Sequence, residues 1–215
     1  MPATQPILAV GDLHGMHRVL LRLVNELLPG LPPGIQLVFL GDYIDRGPHS
    51  AQVVAELIEL KNQRPDTVLL MGNHEAMLLD ALDGVRVDAF LWNGGTDTMR
   101  SYGLEPRELA KLPEEHVEFF RGLAPYYVTD DYIFVHAGLR PGVELERQDP
   151  WDLVWIREEF YLAGADFGRT VIFGHTPFRE PMVTEHLIGI DTGAVFGNEL
   201  TCLQLPPKKF HHLPG

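Results

Sequence analysis

Ile7-Leu8-Ala9-Val10-Gly11-Asp12-Leu13-His14-Gly15 opens on four apolar residues, then turns through glycine into an aspartate and a histidine. An apolar run of this length, bounded by a turn signal, reads as a strand buried on both faces. The same grammar recurs five times along the chain. Leu37-Val38-Phe39-Leu40 precedes Gly41-Asp42, Val68-Leu69-Leu70-Met71 precedes Gly72-Asn73-His74, and Ile133-Phe134-Val135 precedes His136-Ala137-Gly138. Val171-Ile172-Phe173 leads to Gly174-His175, and Leu187-Ile188-Gly189-Ile190 to Asp191-Thr192-Gly193. Each run delivers a polar group at its carboxyl end, where open α/β sheets hold their ligands. The adjoining glycines let the backbone turn sharply and let a ligand approach closely. A fold of α/β class with one shared site is the expectation.

Helical patterns separate the first three runs. Val19, Leu20, Leu23, Val24, Leu27 and Leu28 recur at helical spacing until Pro29-Gly30 stops them. Ser50 is the expected cap of a second helix, with Val53, Val54, Leu57, Ile58 and Leu60 on its apolar side. Asp12, Asp42 and Asn73 therefore fall about thirty residues apart, the size of a parallel βαβ unit, which brings them together. Residues 75–122 read as a mainly helical excursion beside the site. From Tyr126 onward short strand-like segments dominate, at 126–129, 132–135, 170–173, 182–185, 187–190 and 200–205, suggesting a second, mixed sheet. The tail after Leu205 is expected to fray, with His211 and His212 solvated.

At 215 residues, with no long Pro-, Gly- or Ser-rich linker, the chain reads as one domain, 1–215. The net charge of −13 disfavours a sequence-independent grip on nucleic-acid phosphates or anionic membranes. The single Cys202 excludes an intrachain disulfide, which fits a reducing compartment. Residues 1–6 show no basic region followed by an apolar segment, and no apolar stretch approaches spanning length. The expectation is a cytoplasmic protein that binds neither nucleic acid nor membrane, with its oligomeric state open.

Five motifs in order carry a resemblance. Gly11-Asp12-Leu13-His14-Gly15, Gly41-Asp42-Tyr43-Ile44-Asp45-Arg46-Gly47, Gly72-Asn73-His74-Glu75, His136-Ala137-Gly138 and Gly174-His175-Thr176-Pro177 resemble the motif series of calcineurin-like metallophosphoesterases. The match is to the phosphoprotein phosphatase branch, and it is similar above all to short bacterial and phage serine/threonine phosphatases. It spans Gly11 to about Gly193. The resemblance implies two mixed β-sheets in a sandwich flanked by helices, with two divalent metal ions where the loops converge. By matching position, Asp12 and His14 would bind the first metal, Asp42 would bridge both, and Asn73, His136 and His175 would bind the second. Carboxylate, imidazole and amide donors suit manganese, iron or zinc, and the resemblance favours manganese.

The family's chemistry implies two metals roughly 3.5 to 4 Å apart sharing a hydroxide that attacks phosphorus directly. His74 matches the general acid that protonates the departing alkoxide, Asp45 the carboxylate that orients it, and Arg46 and Arg157 the phosphate-binding arginines. A surface ion pair with Glu158 or Glu159 is the rival role for Arg157. Asp191 matches no ligand position and is expected to support the site through hydrogen bonds or a turn. His17, His49, His116 and His186 read as solvated or turn residues, and 92–95 either as a substrate lip or as an ordinary packed loop. Cys202 lacks a following arginine, so a cysteine-phosphate intermediate has no support.

Pro177 stands where phosphodiesterases and nucleases of the superfamily carry a further histidine, which counts against a phosphodiesterase. Symmetrical diadenosine tetraphosphate hydrolases share most of these motifs but typically lack the aspartate matching Asp45 and carry Asp where this chain has Glu75. The expected function is therefore a metal-dependent phosphomonoesterase, a serine/threonine protein phosphatase acting on a phosphoprotein or phosphopeptide. Symmetrical dinucleotide hydrolysis, another small-phosphoester hydrolase and a silent metal-binding scaffold are the alternatives.

Overall fold

The computed structural model describes residues 5–215. Four apolar runs become parallel-paired strands as expected, β1 (Ile7–Val10), β2 (Gln36–Phe39), β5 (Tyr132–Val135) and β6 (Thr170–Phe173). The third run narrows to β3 (Val68–Leu69), and the sixth to β8 (Leu187–Gly189). With β4 (Tyr126–Val128), β7 (Met182–Val183), β9 (Glu199–Leu205) and β10 (Lys209–Pro214) they form two mixed five-stranded sheets. The orders are β10-β9-β1-β2-β3 and β4-β5-β6-β8-β7.

Strand side chains alternate between two cores, which explains why the runs are apolar throughout. Ile7 and Ala9 of β1, Val38 of β2, Phe134 of β5, Ile172 of β6 and Leu203 of β9 meet between the sheets. Leu8 and Val10 face the opposite way, against Leu20, Val53, Leu57 and Leu78 on the helical side of the first sheet. Ile133, Val135, Val171 and Phe173 pack outward against Leu153, Val154 and Phe160. Helices thus cover the outer faces of the sandwich.

The first helical pattern is continuous but irregular. It begins as α1 (His17–Arg22), widens into a π turn at Leu23–Leu27 and tightens into a 3-10 turn at Leu28–Gly30. The second helix, α2 (Ser50–Gln63), follows the predicted pattern, but Ser50 is its first residue and does not cap it. Its hydroxyl instead accepts the Asp45 N–H at 3.1 Å, because the preceding turn carries that donor into the interior. The excursion is helical, comprising α3 (Asn73–Leu82), α4 (Val87–Phe90), α5 (Thr96–Ser101) and α6 (Glu114–Arg121). Two further helices, α7 (Pro150–Trp155) and α8 (Glu158–Tyr161), lie over the second sheet.

Two expectations about the C-terminal part are corrected. β9 joins the first sheet rather than the second, antiparallel to β1 with Ile7 opposite Leu205 and Val10 opposite Cys202. The tail does not fray: β10 pairs with β9 over six positions, Lys209 opposite Gln204 through Pro214 opposite Glu199. Pro206-Pro207-Lys208 read as the start of a loose end but turns the chain back on itself. Phe210 and Leu213 then pack on opposite faces of the sheet, as strand alternation requires. His211 and His212 contact Gln204 and Thr201 on β9, so they are sheet residues. Hydrogen exchange is expected to protect amides in 209–213 as it protects those of β9. Exchange at the rate of an open tail would overturn the pairing.

Cys202 is fully buried, and burial pushes its thiol up to about 12, far from reactive. Among the described residues no helix is long and apolar enough to cross a membrane. The reading of the extreme N-terminus falls partly on residues 1–4, outside the described residues.

Candidate metal centre

The carboxyl ends of β1, β2, β3, β5 and β6 converge, and the loops leaving them bring Asp12, His14, Asp42, Asn73, His74, His136 and His175 into one buried cluster. Asp42 is its centre. One carboxylate oxygen lies 3.4 Å from His14 Nε2 and 4.0 Å from His74 Nε2, and the other 3.4 Å from His136 Nε2. His14, Asp42 and His74 form one compact donor group and Asp42, His136 and His175 a second, each with donor atoms within 4.8 Å of one another. A carboxylate shared by two donor groups is the arrangement a bridging ligand needs.

The histidine tautomers are set by the backbone. His14 Nδ1 donates to the Ile44 carbonyl at 2.8 Å, and His136 Nδ1 to the Leu40 carbonyl at 2.8 Å. Both rings therefore turn Nε2 toward the centre. Asn73 Oδ1 joins the second group, 3.0 Å from His136 Nε2 and 2.8 Å from His175 Nδ1. Asp12 lies outside the two tightest groups, and its carboxylate accepts the His175 backbone N–H at 3.1 and 3.3 Å.

The loops are strained to achieve this. Among the described residues six non-glycine residues have left-handed φ, and five are His14, Asp42, Asp45, Arg46 and His175. Such conformations persist where surrounding structure enforces them, and they cluster at functional sites. Two glycines leave the necessary space: a Cβ on Gly72 would stand 2.2 Å from Asp42 Oδ1, and one on Gly174 2.2 Å from Asp12 Oδ1.

His74 lies in the first turn of α3, and its Nδ1 is 2.6 Å from Asp45 Oδ2. Asp45 is itself anchored, with its other oxygen accepting from Thr98 Oγ1 at 2.6 Å. Thr98 comes from α5, so the helical excursion supplies the group that fixes the His74–Asp45 pair. Thr98 is a contact of the site that sequence reading missed, since a lone threonine in a helix carries no local signal. Glu75 is a second structural surprise. Its Oε2 accepts N–H groups of Asp42 and Gly72 at 2.9 and 3.1 Å, while Oε1 accepts those of Tyr43 and Ile44 at 2.8 and 3.3 Å. One buried carboxylate thereby ties the Asp42 loop to the start of α3.

Arg46 is exposed at the rim, donates through Nη1 to His14 Nε2 at 2.5 Å and lies over the Phe196 ring at 5.6 Å. Arg157 reaches Thr176 Oγ1 at 3.5 Å, and among the described residues it forms no ion pair with Glu158 or Glu159. Asp191 turns back to accept the Gly193 N–H at 2.9 Å, as its expected turn role requires. Of 92–95, Trp92 is exposed, and the Gly94 carbonyl accepts the Arg46 N–H at 3.4 Å. His17 faces Glu56, His186 faces Asp166, and His116 bonds the Tyr102 hydroxyl at 2.7 Å, all away from the centre.

The sequence profile of the calcineurin-like phosphoesterases matches residues 5–204. The chain belongs to the calcineurin-like phosphoesterases. Its relatives in that family include the asymmetrical bis(5'-nucleosyl)-tetraphosphatase PrpE of Bacillus thuringiensis, 29% identical over 96% of this chain and 93% of that protein. The same-named protein of Bacillus cereus is 30% identical over the same shares. A solved structure provisionally described as a diadenosine tetraphosphatase superposes with a TM-score of 0.73 at 23% identity, covering 100% of this chain and 95% of that one. A protein serine/threonine phosphatase from Saccharomyces cerevisiae superposes at 0.69 and 16% identity, covering 98% and 80%. These superpositions establish that the sandwich is the calcineurin-like phosphoesterase fold.

Calcineurin-like phosphoesterases bind divalent metals, and the residues here fit that role. His175 Nε2 is buried without a hydrogen-bond partner. Burial and the neighbouring Asp191 push Asp12 well above the usual carboxylate range. Burial holds His14 down to about 3 and His175 to about 2, so both imidazoles are neutral; the His175 Nε2 lone pair is free for a cation, and that of His14 accepts from Arg46, a donor that a cation would displace. Burial alone would raise Asp42, but His136 and His74 outweigh it and hold it low. Burial alone would lower His136, but the adjoining Asp42 carboxylate outweighs it and raises the imidazole to about 9, so an imidazolium offsets the desolvated carboxylates, a positive charge that bound cations would supply in its place.

Proposed function

We propose that this calcineurin-like phosphoesterase is a metal-dependent hydrolase of bis(5'-nucleosyl) tetraphosphates, cleaving the phosphate chain asymmetrically. The chemistry rests on one observation above all: the Asp45-held His74 imidazole stands 4.0 Å from the carboxylate shared by the two donor groups. The substrate reading is supported by the tetraphosphatase relatives, which align over 96% of the chain.

Asp12, His14, Asp42, Asn73, His136 and His175 would hold two divalent ions, with manganese the preferred metal and iron or zinc compatible. When bound, such ions acidify water into a nucleophile at neutral pH and neutralise phosphate charge. Arg46 and Arg157 bind non-bridging phosphate oxygens and set the phosphorus for in-line attack. Water adds its oxygen to phosphorus as the phosphorus–oxygen bond to the leaving group breaks; His74, in its imidazolium form, gives its Nε2 proton to the departing oxygen while Nδ1–H stays on Asp45, and the proton the water loses replaces it. Asp45 keeps the imidazole oriented through Nδ1. For the tetraphosphate the products are a nucleoside triphosphate and a nucleoside monophosphate.

A second reading, a serine/threonine protein phosphatase, is favoured by the acid pair itself. A serine or threonine alkoxide is a stronger base than a nucleotide phosphate oxygen and gains more from protonation. Substrate profiling separates the two. Metal-stripped protein restored with manganese is assayed in parallel on a bis(5'-nucleosyl) tetraphosphate and on phosphoserine/phosphothreonine peptides. Faster metal-dependent triphosphate release supports the first reading, and preference for the peptides replaces it with the second. Chelation is expected to abolish turnover and lower the melting temperature, since a metal at 100 times its Kd stabilises by about 2.7 kcal/mol. Undiminished turnover after chelation would overturn both.

A further inference from the structure

Outside the donor cluster the molecule carries a cavity of about 330 Å³ whose walls include Trp151, Trp155, Arg86, Met77, Asp80 and Asn93. The indoles of Trp151 and Trp155 stack with centroids 5.2 Å apart and planes 20° from parallel. Trp151 is 52% exposed, an uncommon state for so large an apolar side chain. The Arg86 guanidinium lies 5.6 Å from the Trp151 ring centroid, and Arg86 is the sixth residue with left-handed φ, the only one away from the metal centre among the described residues. The cavity abuts that centre: Trp155 meets the His175 ring edge-on at 5.8 Å, and Met77 and Asp80 lie on α3, the helix that begins with Asn73 and His74.

We propose that this slot binds one nucleobase of a nucleoside polyphosphate whose phosphate chain runs into the metal centre. The assignment rests on the dinucleotide reading above and adds the part of the protein that recognises the nucleoside. One face of Trp151 is taken by Trp155, so the base stacks on the other, with the Arg86 guanidinium moving aside to lie over the base as a planar cationic surface. Asp80 and Asn93 offer polar atoms at the wall for the base edge. Arg86 and Arg157 place positive charge near the path from slot to centre, which a polyphosphate needs on a chain of net charge −13. A phosphopeptide has one phosphate and no obligatory planar group, so it uses these features less fully.

The test is equilibrium binding, followed by calorimetry, of adenosine triphosphate and of inorganic tripolyphosphate, which has the phosphates but no base. The wild-type protein is expected to bind the nucleotide about tenfold more tightly, the worth of one base–aromatic stack. Trp151→Ala should erase that preference without changing tripolyphosphate affinity, and Trp151→Phe should retain most of it. Equal affinity for the two ligands in the wild type, or a preference that survives Trp151→Ala, overturns the proposal. So does a Trp151→Ala effect confined to the KM for phosphopeptides, which would assign the slot to a peptide side chain. A base preference in a protein that does not cleave the tetraphosphate leaves the slot standing and overturns only the substrate reading.

Discussion

Replacing His74 by asparagine is expected to lower kcat on a phosphoserine peptide by about 10²–10⁴-fold, the range in which a positioned general acid contributes. The same substitution should cost less on a bis(5'-nucleosyl) tetraphosphate, whose leaving oxygen is a weaker base and departs with less help. The reason lies in the position of the imidazole, with Nδ1 held 2.6 Å from Asp45 and Nε2 turned toward Asp42. Asparagine keeps a polar group at the start of α3 but carries no transferable proton. Metal content, measured on the purified variant, should match the wild type, because His74 is assigned as acid and not as ligand. Unchanged turnover on both substrates would remove His74 from the mechanism. Equal losses on both would show that protonation matters equally for the two leaving groups, and loss of metal would make His74 a ligand.

Glu75→Ala is expected to destabilise the fold on the order of 4 kcal/mol, because it strands four buried backbone donors, each costly to leave unpaired. Those donors belong to Asp42, Tyr43, Ile44 and Gly72, so the substitution also loosens the loop carrying the shared carboxylate from the helix carrying Asn73 and His74. Burial and then the adjacent Asp42 push the Glu75 carboxyl up to about 8, but all four contacts use its oxygens as acceptors. Glu75→Gln should therefore be costly as well, since its amide nitrogen would face N–H donors. Urea denaturation measures the loss, and a change below about 1 kcal/mol in the alanine variant would show that water or relaxation replaces the carboxylate.

Much of the donor set was legible before folding, and for a local reason. Asp12, His14, Asp42, Asn73, His136 and His175 each follow a buried strand within a few residues, and glycine marks the turn. Hydrophobic run, glycine and donor lie so close in sequence that their order alone implies convergence at one sheet end. The same locality explains the failures. Ser50 looked like a helix cap because capping is read from immediate neighbours, whereas its hydroxyl serves Asp45 five residues earlier. The segment from Pro206 looked frayed because its composition is that of a loop, whereas its pairing is decided by the free edge of β9.

The sequence by itself determined the strand runs, the βαβ spacing and which polar side chains stand at the strand ends, because strand burial and glycine turns are encoded within windows of a few residues. Only the tertiary structure decided what holds and flanks that set. Thr98 meets Asp45 across 53 residues, Glu75 meets Asp42 across 33, and Trp155 on α7 meets His175 from β6. Such contacts leave no periodicity in the chain, since each depends on where two separately specified elements come to rest against the same core.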